Sequence, residues 1–295
     1  MSPWKQAALA AYYHGTRPYR VWWNYRAARA RRAPVMILFY HRIADDRANA
    51  WTCPKNLFAE QMTWLRKHCD VVTLAEAQHR IRTGNPRPAA VVTFDDGYGE
   101  NNEFALPHLV EHKMPATYFV TLHHVCNGVP FPHDMRAGNT FRPNTIADLR
   151  HWAATGLIEI GAHTRTHPDI GAVVDRRRLE DEVVTAGEEL QQLLGRSVRY
   201  FAFPFGLPAN MQPAAFELAY EAGYEGVCSA YGAYNFPGDD PFHLQRIHAD
   251  DDLLRFRNWL SVDPRKLKIA RYEYQSPPMP PKEAQVEGFR RVLGV

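Results

Sequence analysis

The sequence has only four cysteines among its 295 residues, and no two of them form a Cys-x-x-Cys pair. This spacing fits neither a disulfide framework nor a structural zinc site. We therefore expect each cysteine to be a small buried hydrophobic residue, which favours a reducing compartment. The four are Cys53, Cys69, Cys126 and Cys228.

Long apolar runs are missing as well. A transmembrane helix needs roughly 18 continuous apolar residues, and no segment approaches that length, so none is expected. The run 7–13 is short and is followed by His14-Gly15-Thr16-Arg17, without the apolar core and cleavage site of a signal peptide. The sequence therefore predicts a cytoplasmic protein.

Acidic residues are absent before Asp45, whereas basic and aromatic residues are frequent there. A basic aromatic arm over residues 1–34 suits peripheral contact with an anionic membrane surface. The alternative is a solvated arm whose aromatic side chains pack on the main domain. Because no groove-reading motif accompanies the arm, nucleic acid is not an expected partner. The basic residues are Lys5, Arg17, Arg20, Arg26, Arg29, Arg31 and Arg32.

What the sequence does contain is an ordinary globular composition, with 45% hydrophobic residues, 23% charged residues and a net charge of +3. From residue 35 to residue 262, short apolar runs alternate with helical patterns about seven times. This alternation predicts an α/β domain with a parallel sheet, either doubly wound or closed as a barrel. Residues 263–295, with four closely spaced prolines, are predicted to form an extension that wraps the domain or a partner.

Polar residues follow several of the predicted strands directly. Asp95 and Asp96 follow the strand 89–94, His163 follows 157–162, and His41 and His248 follow the first and last strands. In parallel α/β folds the carboxyl ends of the strands meet at one edge, where functional residues lie. We therefore expect these side chains to share one site.

The chemistry of these residues fits a metal-dependent hydrolase. Adjacent residues at a strand end point in different directions, so one of Asp95 and Asp96 can bind a metal while the other stays free. His163 and His167, four apart, can both ligate one divalent ion. Each pattern alone has an ordinary alternative, since Asp-Asp-Gly often forms a turn and such histidine pairs are often incidental surface residues.

Three segments, taken in order, resemble the motifs of the polysaccharide deacetylase family, also called the NodB-homology domain. They are Thr93-Phe94-Asp95-Asp96-Gly97-Tyr98, His163-Thr164-Arg165-Thr166-His167-Pro168 and Tyr200-Phe201-Ala202-Phe203-Pro204-Phe205-Gly206. The resemblance extends from about residue 36 to residue 260. It implies a distorted (β/α) barrel of about seven parallel strands and the removal of N-acetyl or O-acetyl groups from a polysaccharide or glycolipid, with release of acetate.

The resemblance also implies roles for individual residues. Asp95 would be the general base, and one divalent metal, usually Zn²⁺, would be held by Asp96, His163 and His167. Phe205 would offer its backbone N–H to the oxyanion. Tyr98 and His41 are further candidates for lining the substrate site.

The chain departs from the family pattern at the arginine that orients the general base and at the general acid. Many members have an arginine at the position of Ala202, and Arg246 is the candidate replacement that orients Asp95, although it could equally be a surface arginine at a strand end. The last motif has one residue too many, so His248 is only a candidate for the general acid. These departures leave open a rival hypothesis, a catalytically inactive glycan-binding or assembly protein on the same fold.

Overall fold

The computed structural model describes residues 3–274, and the four closely spaced prolines of the predicted C-terminal extension lie outside this range. Its main sheet has nine strands, and every pairing within it is parallel. Two further short strands pair with each other. In chain order the strands are β1 (Val35–Tyr40), β2 (Arg42–Ile43), β3 (Thr52–Cys53), β4 (Asp70–Val71), β5 (Ala89–Phe94), β6 (Ala116–Val120), β7 (Ile158–Ala162), β8 (Tyr200–Ala202), β9 (Gly226–Cys228), β10 (His243–Leu244) and β11 (Arg246–His248).

The sheet closes into a barrel through its last two strands. The strand order is β10-β9-β8-β7-β6-β5-β1-β11, so β10 and β11 lie at opposite edges of the sheet. Only Gln245 separates them in the chain, and this short segment therefore joins the two edges of the sheet. The predicted α/β barrel of parallel strands is confirmed.

A single last strand was predicted over 244–247, and this prediction was wrong because the segment splits at Gln245. There the ladder is replaced by the side chain of Asn235, whose Oδ1 accepts from the Gln245 N–H at 2.9 Å and whose Nδ2 donates to the Gln245 carbonyl at 2.8 Å. The backbone of Asn235 also pairs with Val35 of β1. Asn235 thus satisfies the polar groups exposed where the strand changes partners.

Helices cover the outside of the barrel. They are α1 (Pro3–Gly15), α2 (Arg17–Arg29), α3 (Lys55–His68), α4 (Leu74–Thr83), α5 (Ala105–Glu111), α6 (Leu122–Asn127), α7 (Pro132–Arg136), α8 (Ile146–Ala154), α9 (Arg176–Glu180), α10 (Ala186–Leu194), α11 (Pro213–Glu221) and α12 (Leu253–Leu260). A π-helical segment, Asp181–Thr185, joins α9 to α10.

The two-residue alternation along the strands decides which side chains enter the barrel. Val35 and Ile37 of β1 and Val91 of β5 belong to the inner apolar cluster, whereas Met36 and Leu38 pack in the outer cluster beneath the helices. Continued one step past the end of β5, the same alternation turns Asp95 inward. The barrel therefore presents one carboxylate to its interior at the edge where the strands end.

The predicted basic arm is a pair of helices, α1 and α2. One face of the pair packs on the domain: the buried Arg20 donates to the carbonyls of Asn258 (2.8 Å) and Val262 (3.1 Å), and the Tyr12 hydroxyl donates to Asp263 (2.7 Å). The other face exposes large apolar side chains. Those are Trp4, Tyr19, Val21, Trp22 and Tyr25.

The structure places three of the four cysteines in the interior and one at the surface. Cys53, Cys69 and Cys228 are buried and free, but Cys126 is exposed, so the expectation of burial was wrong for Cys126. It lies in α6, which turns Leu122, His124 and Val125 to the interior instead. Among residues 3–274, no helix has the length and apolar character that crossing a membrane requires.

Candidate metal centre and active site

Asp96, His163 and His167 come together at the carboxyl ends of the strands. Their ligand atoms all lie within 4.8 Å of one another. Asp96 Oδ1 is 3.5 Å from His163 Nε2 and 3.2 Å from His167 Nε2. Two ligands of one tetrahedral Zn²⁺, each about 2.0–2.1 Å from the ion, would be about 3.4 Å apart. The spacing of the three side chains therefore suits a single small divalent ion.

The Asp96 carboxylate has the state that metal binding requires. Asp96 Oδ1 is buried and has no hydrogen-bond partner among the described residues. Burial raises the pKa of Asp96, but the neighbouring His167, His41 and His163 outweigh it and hold that pKa well below its usual value. The residues present thus fit a divalent cation, with an ionised carboxylate oxygen facing two imidazole nitrogens.

His163 is oriented by a hydrogen bond on the far side of its ring. Its Nδ1 lies 2.8 Å from the carbonyl oxygen of Ala202 in β8, to which it can only donate. This contact leaves Nε2 without a proton and directed at Asp96. Burial also lowers the pKa of His163 to about 4, so the ring is neutral, as a metal ligand must be.

The backbone beneath this cluster is strained. Asp96 has φ +70°, Thr164 has φ +66° and His167 has φ +61°, all in the left-handed region that non-glycine residues avoid. At Asp96 the Gly97 N–H bonds back to the Asp95 carbonyl at 2.8 Å, which makes a γ-turn. This turn separates the two carboxylates, leaving Asp95 in the barrel and directing Asp96 to the histidines.

Asp95 lies against Arg246 inside the barrel. Arg246 Nη1 is 2.6 Å from Asp95 Oδ1 and Nη2 is 2.9 Å from Oδ2, a bidentate ion pair between two buried residues. The other guanidinium contacts of Arg246 go to Thr93 Oγ1 and the Ser229 carbonyl. Burial raises the pKa of Asp95, but Arg246 and His163 outweigh it, so the pKa is lowered and the carboxylate is ionised.

Two histidines, His41 and His248, lie on either side of the sequence motifs and both contact the ring of Trp51. The Trp51 ring lies 4.6 Å from the His41 ring and 5.7 Å from the His248 ring, measured between centroids. His41 Nδ1 is buried without a partner among the described residues. Burial lowers the pKa of His41, opposed by Asp96 and Asp95. His248 is exposed; desolvation and His41 lower its pKa.

Phe205 and Tyr98 occupy different environments. Phe205 has φ +60° and an exposed side chain, and the Gly206 N–H bonds back to Pro204, so Phe205 sits in a second γ-turn. Its ring lies 5.1 Å from that of His167. Tyr98 is buried and donates its hydroxyl to Asp134 at 2.7 Å. Tyr98 therefore holds the segment around α7 and directs no free hydroxyl into the site.

The segment 123–144 packs beside the metal cluster. Phe131 is buried, and its ring lies 5.6 Å from that of His167. Asp134 of α7 is held by Tyr98 and by Asn49. This segment thus forms a packed wall on the metal side of the site.

Two residues of the site were missed by sequence reasoning. Trp51 lies in a region without apolar periodicity, so no pattern marked it. Glu182 is buried, and its carboxylate accepts from the backbone N–H groups of Arg165 (2.9 Å) and Thr166 (2.8 Å). One signal pointed to Glu182: an acidic residue three positions after Leu179, on the apolar face of the predicted helix.

A parallel (β/α) barrel with ionisable side chains gathered at the carboxyl ends of its strands has the arrangement of an enzyme. The family model described as polysaccharide deacetylase matches residues 82–227. The chain is 23% identical over 205 residues to the putative polysaccharide deacetylase YxkH of Bacillus subtilis (strain 168), covering 68% of this chain and 66% of that protein. It is 34% identical over 130 residues to the chitooligosaccharide deacetylase of Sinorhizobium fredii (strain NBRC 101917 / NGR234), covering 43% and 51% respectively.

Among solved structures, IcaB from Ammonifex degensii matches with a TM-score of 0.64 at 24% identity, over 78% of this chain and 98% of that one. This match supports the barrel fold. The predicted family is confirmed: the chain carries the domain of the polysaccharide deacetylases. The chain spans less than two thirds of the length of the two curated relatives.

Proposed function

We propose that this protein is a metal-dependent hydrolase that removes acetyl groups from an amino-sugar glycan or glycolipid and releases acetate. The observation that carries the proposal is a buried Asp-His-His cluster beside a second, ionised carboxylate that ligates nothing. A binding protein has no use for that second carboxylate, whereas hydrolysis requires a proton acceptor at the attacking water.

Asp96, His163 and His167 would hold the metal, with Zn²⁺ the best match to their spacing. A divalent ion held there would polarise the acetyl carbonyl and would lower the pKa of a bound water. Asp95 takes the proton of the attacking water, and Arg246 keeps both carboxylate oxygens in place and ionised. The Phe205 N–H, which makes no hydrogen bond within residues 3–274, is available to the developing oxyanion.

The leaving amine needs a proton donor other than Asp95. His41 is the better candidate, because the charges that act on it belong to the site: Asp96, Asp95, Arg246 and His167. Its unpartnered Nδ1 is free to exchange a proton with a bound ligand. His248 is exposed, and its ring lies 5.7 Å from that of Trp51, so we assign it to the rim of the site.

The substrate class follows from the rim and from the relatives. Trp51, Phe205 and Leu207 expose large apolar surfaces around the polar centre, as carbohydrate-binding sites require for the apolar faces of sugar rings. A relative over the matched segment is a chitooligosaccharide deacetylase, which supports an N-acetylated amino sugar as substrate. We therefore favour N-deacetylation over O-deacetylation.

The test is acetate release from N-acetylglucosamine oligosaccharides and acetylated glycolipids, measured with metal-loaded protein, with chelated protein and with Asp95→Asn. We expect release from at least one substrate, loss on chelation and loss in the variant. Acetate release that persists unchanged in Asp95→Asn would contradict the mechanism. Stoichiometric glycan binding without any acetate release would favour the rival, an inactive glycan-binding protein.

We also propose that the protein works in the cytoplasm and contacts an anionic membrane through the exposed face of α1 and α2. Four free cysteines favour a reducing compartment. On the exposed face a cation lies close to two of the aromatic rings: Arg26 lies 5.2 Å from the Trp22 ring, and Arg29 lies 5.7 Å from the Tyr25 ring. Aromatic rings flanked by guanidinium groups suit the lipid headgroup region.

Vesicle co-sedimentation tests this contact. Full-length protein should bind anionic vesicles better than neutral ones, and Trp22→Ser with Arg26→Gln should weaken that binding about tenfold or more. Arg178→Gln, on the exposed side of α9, is the matched control and should bind like the wild type. Equal binding by the double variant and the wild type would refute the membrane contact.

A further inference from the structure

Glu182 is a buried carboxylate that lies outside the metal cluster and yet contacts the loop that carries two of its ligands. Oε2 accepts from the N–H groups of Arg165 (2.9 Å) and Thr166 (2.8 Å), and Oε1 accepts from the Thr166 hydroxyl at 2.5 Å. All three donors belong to the segment between His163 and His167. A charge buried at this depth requires compensation, and these contacts supply it.

The loop needs such support because its backbone is unfavourable. Thr164 and His167 both have positive φ, which costs about 1–2 kcal/mol per non-glycine residue. Within the loop one hydrogen bond offsets part of this cost, from the His167 N–H to Thr164 Oγ1 at 3.0 Å. Charge-assisted hydrogen bonds from Glu182 to two successive N–H groups fix the turn between the two histidines.

The helix that carries Glu182 departs locally from α-helical geometry. Glu182 lies in the π-helical segment Asp181–Thr185, and such wide turns occur frequently at functional sites. A nearby carbonyl of this turn, that of Val183, accepts from the Tyr224 hydroxyl at 2.9 Å. Tyr224 can reach it because residue 187 is glycine: a Cβ at Gly187 would lie 1.8 Å from that hydroxyl.

We propose that Glu182 is a positioning residue that presets the loop 163–167, so that His163 and His167 are in place before the metal arrives. This inference rests on the proposed metal binding. The Gly187–Tyr224 contact supports the same arrangement from the far side of the helix, because it stabilises the turn that directs Glu182 at the loop.

The experiment measures zinc affinity by chelator competition and melting temperature in both metal-free and metal-loaded protein. Glu182→Ala should weaken zinc binding by roughly 10- to 100-fold, as is typical for residues that orient metal ligands. Glu182→Gln keeps an oxygen for the two N–H groups and should restore most of the affinity. Glu180→Gln, an exposed neighbour on α9, is the matched control and should bind zinc like the wild type.

The outcomes separate this inference from the proposed function. A wild-type protein that binds neither zinc nor any other divalent ion would overturn the proposed function itself. A wild type that binds zinc and a folded Glu182→Ala that binds it equally well would overturn only the role of Glu182. If Glu182→Ala does not fold, Thr166→Val removes a single contact, and an unchanged zinc affinity in that variant would also count against the inference.

Discussion

On the Asp95 side of the site the side chains stand on regular strands, whereas on the metal side they stand on strained loops. Asp95 and Arg246 face each other because β5 and β11 both flank β1 and turn these residues into the barrel. Asp96, His163 and His167 depend instead on positive φ angles and on a glutamate from a neighbouring helix. The barrel itself therefore fixes the base, while loops fix the metal ligands.

This difference teaches where each half of the chemistry is vulnerable. The base side contains a buried ion pair, so removing one partner leaves an uncompensated buried charge. The metal side is built from hydrogen bonds to backbone, and a change there alters ligand geometry while the core stays packed. Variants of the two sides should consequently fail in distinguishable ways.

The largest expected effect separates proton transfer from metal binding. Asp95→Asn removes the proton acceptor and should lower kcat by about 10³-fold, within the usual range for a general base, while the protein still binds its metal. His163→Ala should lose the metal and the activity together. Metal content by elemental analysis, next to acetate release, distinguishes the two. Loss of metal in Asp95→Asn would show that the two sides are not separate.

The next effect concerns the ion pair. Arg246→Met leaves the buried Asp95 carboxylate without its partner and should lower the free energy of unfolding by about 3 kcal/mol in urea denaturation at neutral pH. Arg246→Lys keeps a charge but loses the bidentate geometry. Its free energy of unfolding should lie between those of the wild type and Arg246→Met. A Met variant as stable as the wild type would show that the pair contributes little.

The same variant predicts a shift in pH dependence. Arg246 holds the pKa of Asp95 below its ordinary value, so the pair stabilises the fold above that value and the contribution is lost as pH falls through the lowered pKa. Without Arg246, the largest interaction that opposes burial is lost, so the pKa of Asp95 rises. The acid limb of kcat/KM should therefore move to higher pH in Arg246→Met. An unmoved acid limb would mean that another group is the base.

How far the sequence predicts this arrangement differs between the two sides. The strand alternation places Thr93 and Asp95 inward, and the spacing of His163 and His167 indicates a ligand pair, so local patterns were sufficient for these residues. The pairing of Arg246 with Asp95, 151 residues apart, follows from barrel closure, and the break at Gln245 depends on an asparagine side chain. Such contacts are tertiary, and no local periodicity reports them.

Two further features show the same limit. The basic arm was predicted without helices, since its aromatic and basic residues carry no clear helical period, and its docking through Arg20 depends on carbonyls of Asn258 and Val262. Tyr98 is the last residue of the first motif and was predicted to line the substrate site. Its hydroxyl is bound by Asp134, which no pattern in the sequence connects to it.

Substituting the two histidines beside Trp51 should have a smaller effect on kcat. These variants test which residue protonates the leaving amine. His41→Gln should lower kcat by about 10²-fold, since it removes a proton donor next to the buried carboxylates. His248→Gln should change kcat by less than about tenfold and act mainly on KM, because this ring is exposed at the rim. The reverse order in kcat would assign the acid to His248.

The smallest effect is expected at Phe205, where a backbone role and a side-chain role can be separated. If only the N–H of Phe205 acts, Phe205→Ala should leave kcat within about threefold and raise KM, because an exposed ring beside His167 is lost. Phe205→Gly relieves positive φ, worth about 1 kcal/mol, but costs about as much in chain entropy, so its melting temperature should stay near that of the wild type. A large fall in kcat for Phe205→Ala would place the ring itself in the reaction, and the strained γ-turn would then serve to present a side chain instead of an N–H group.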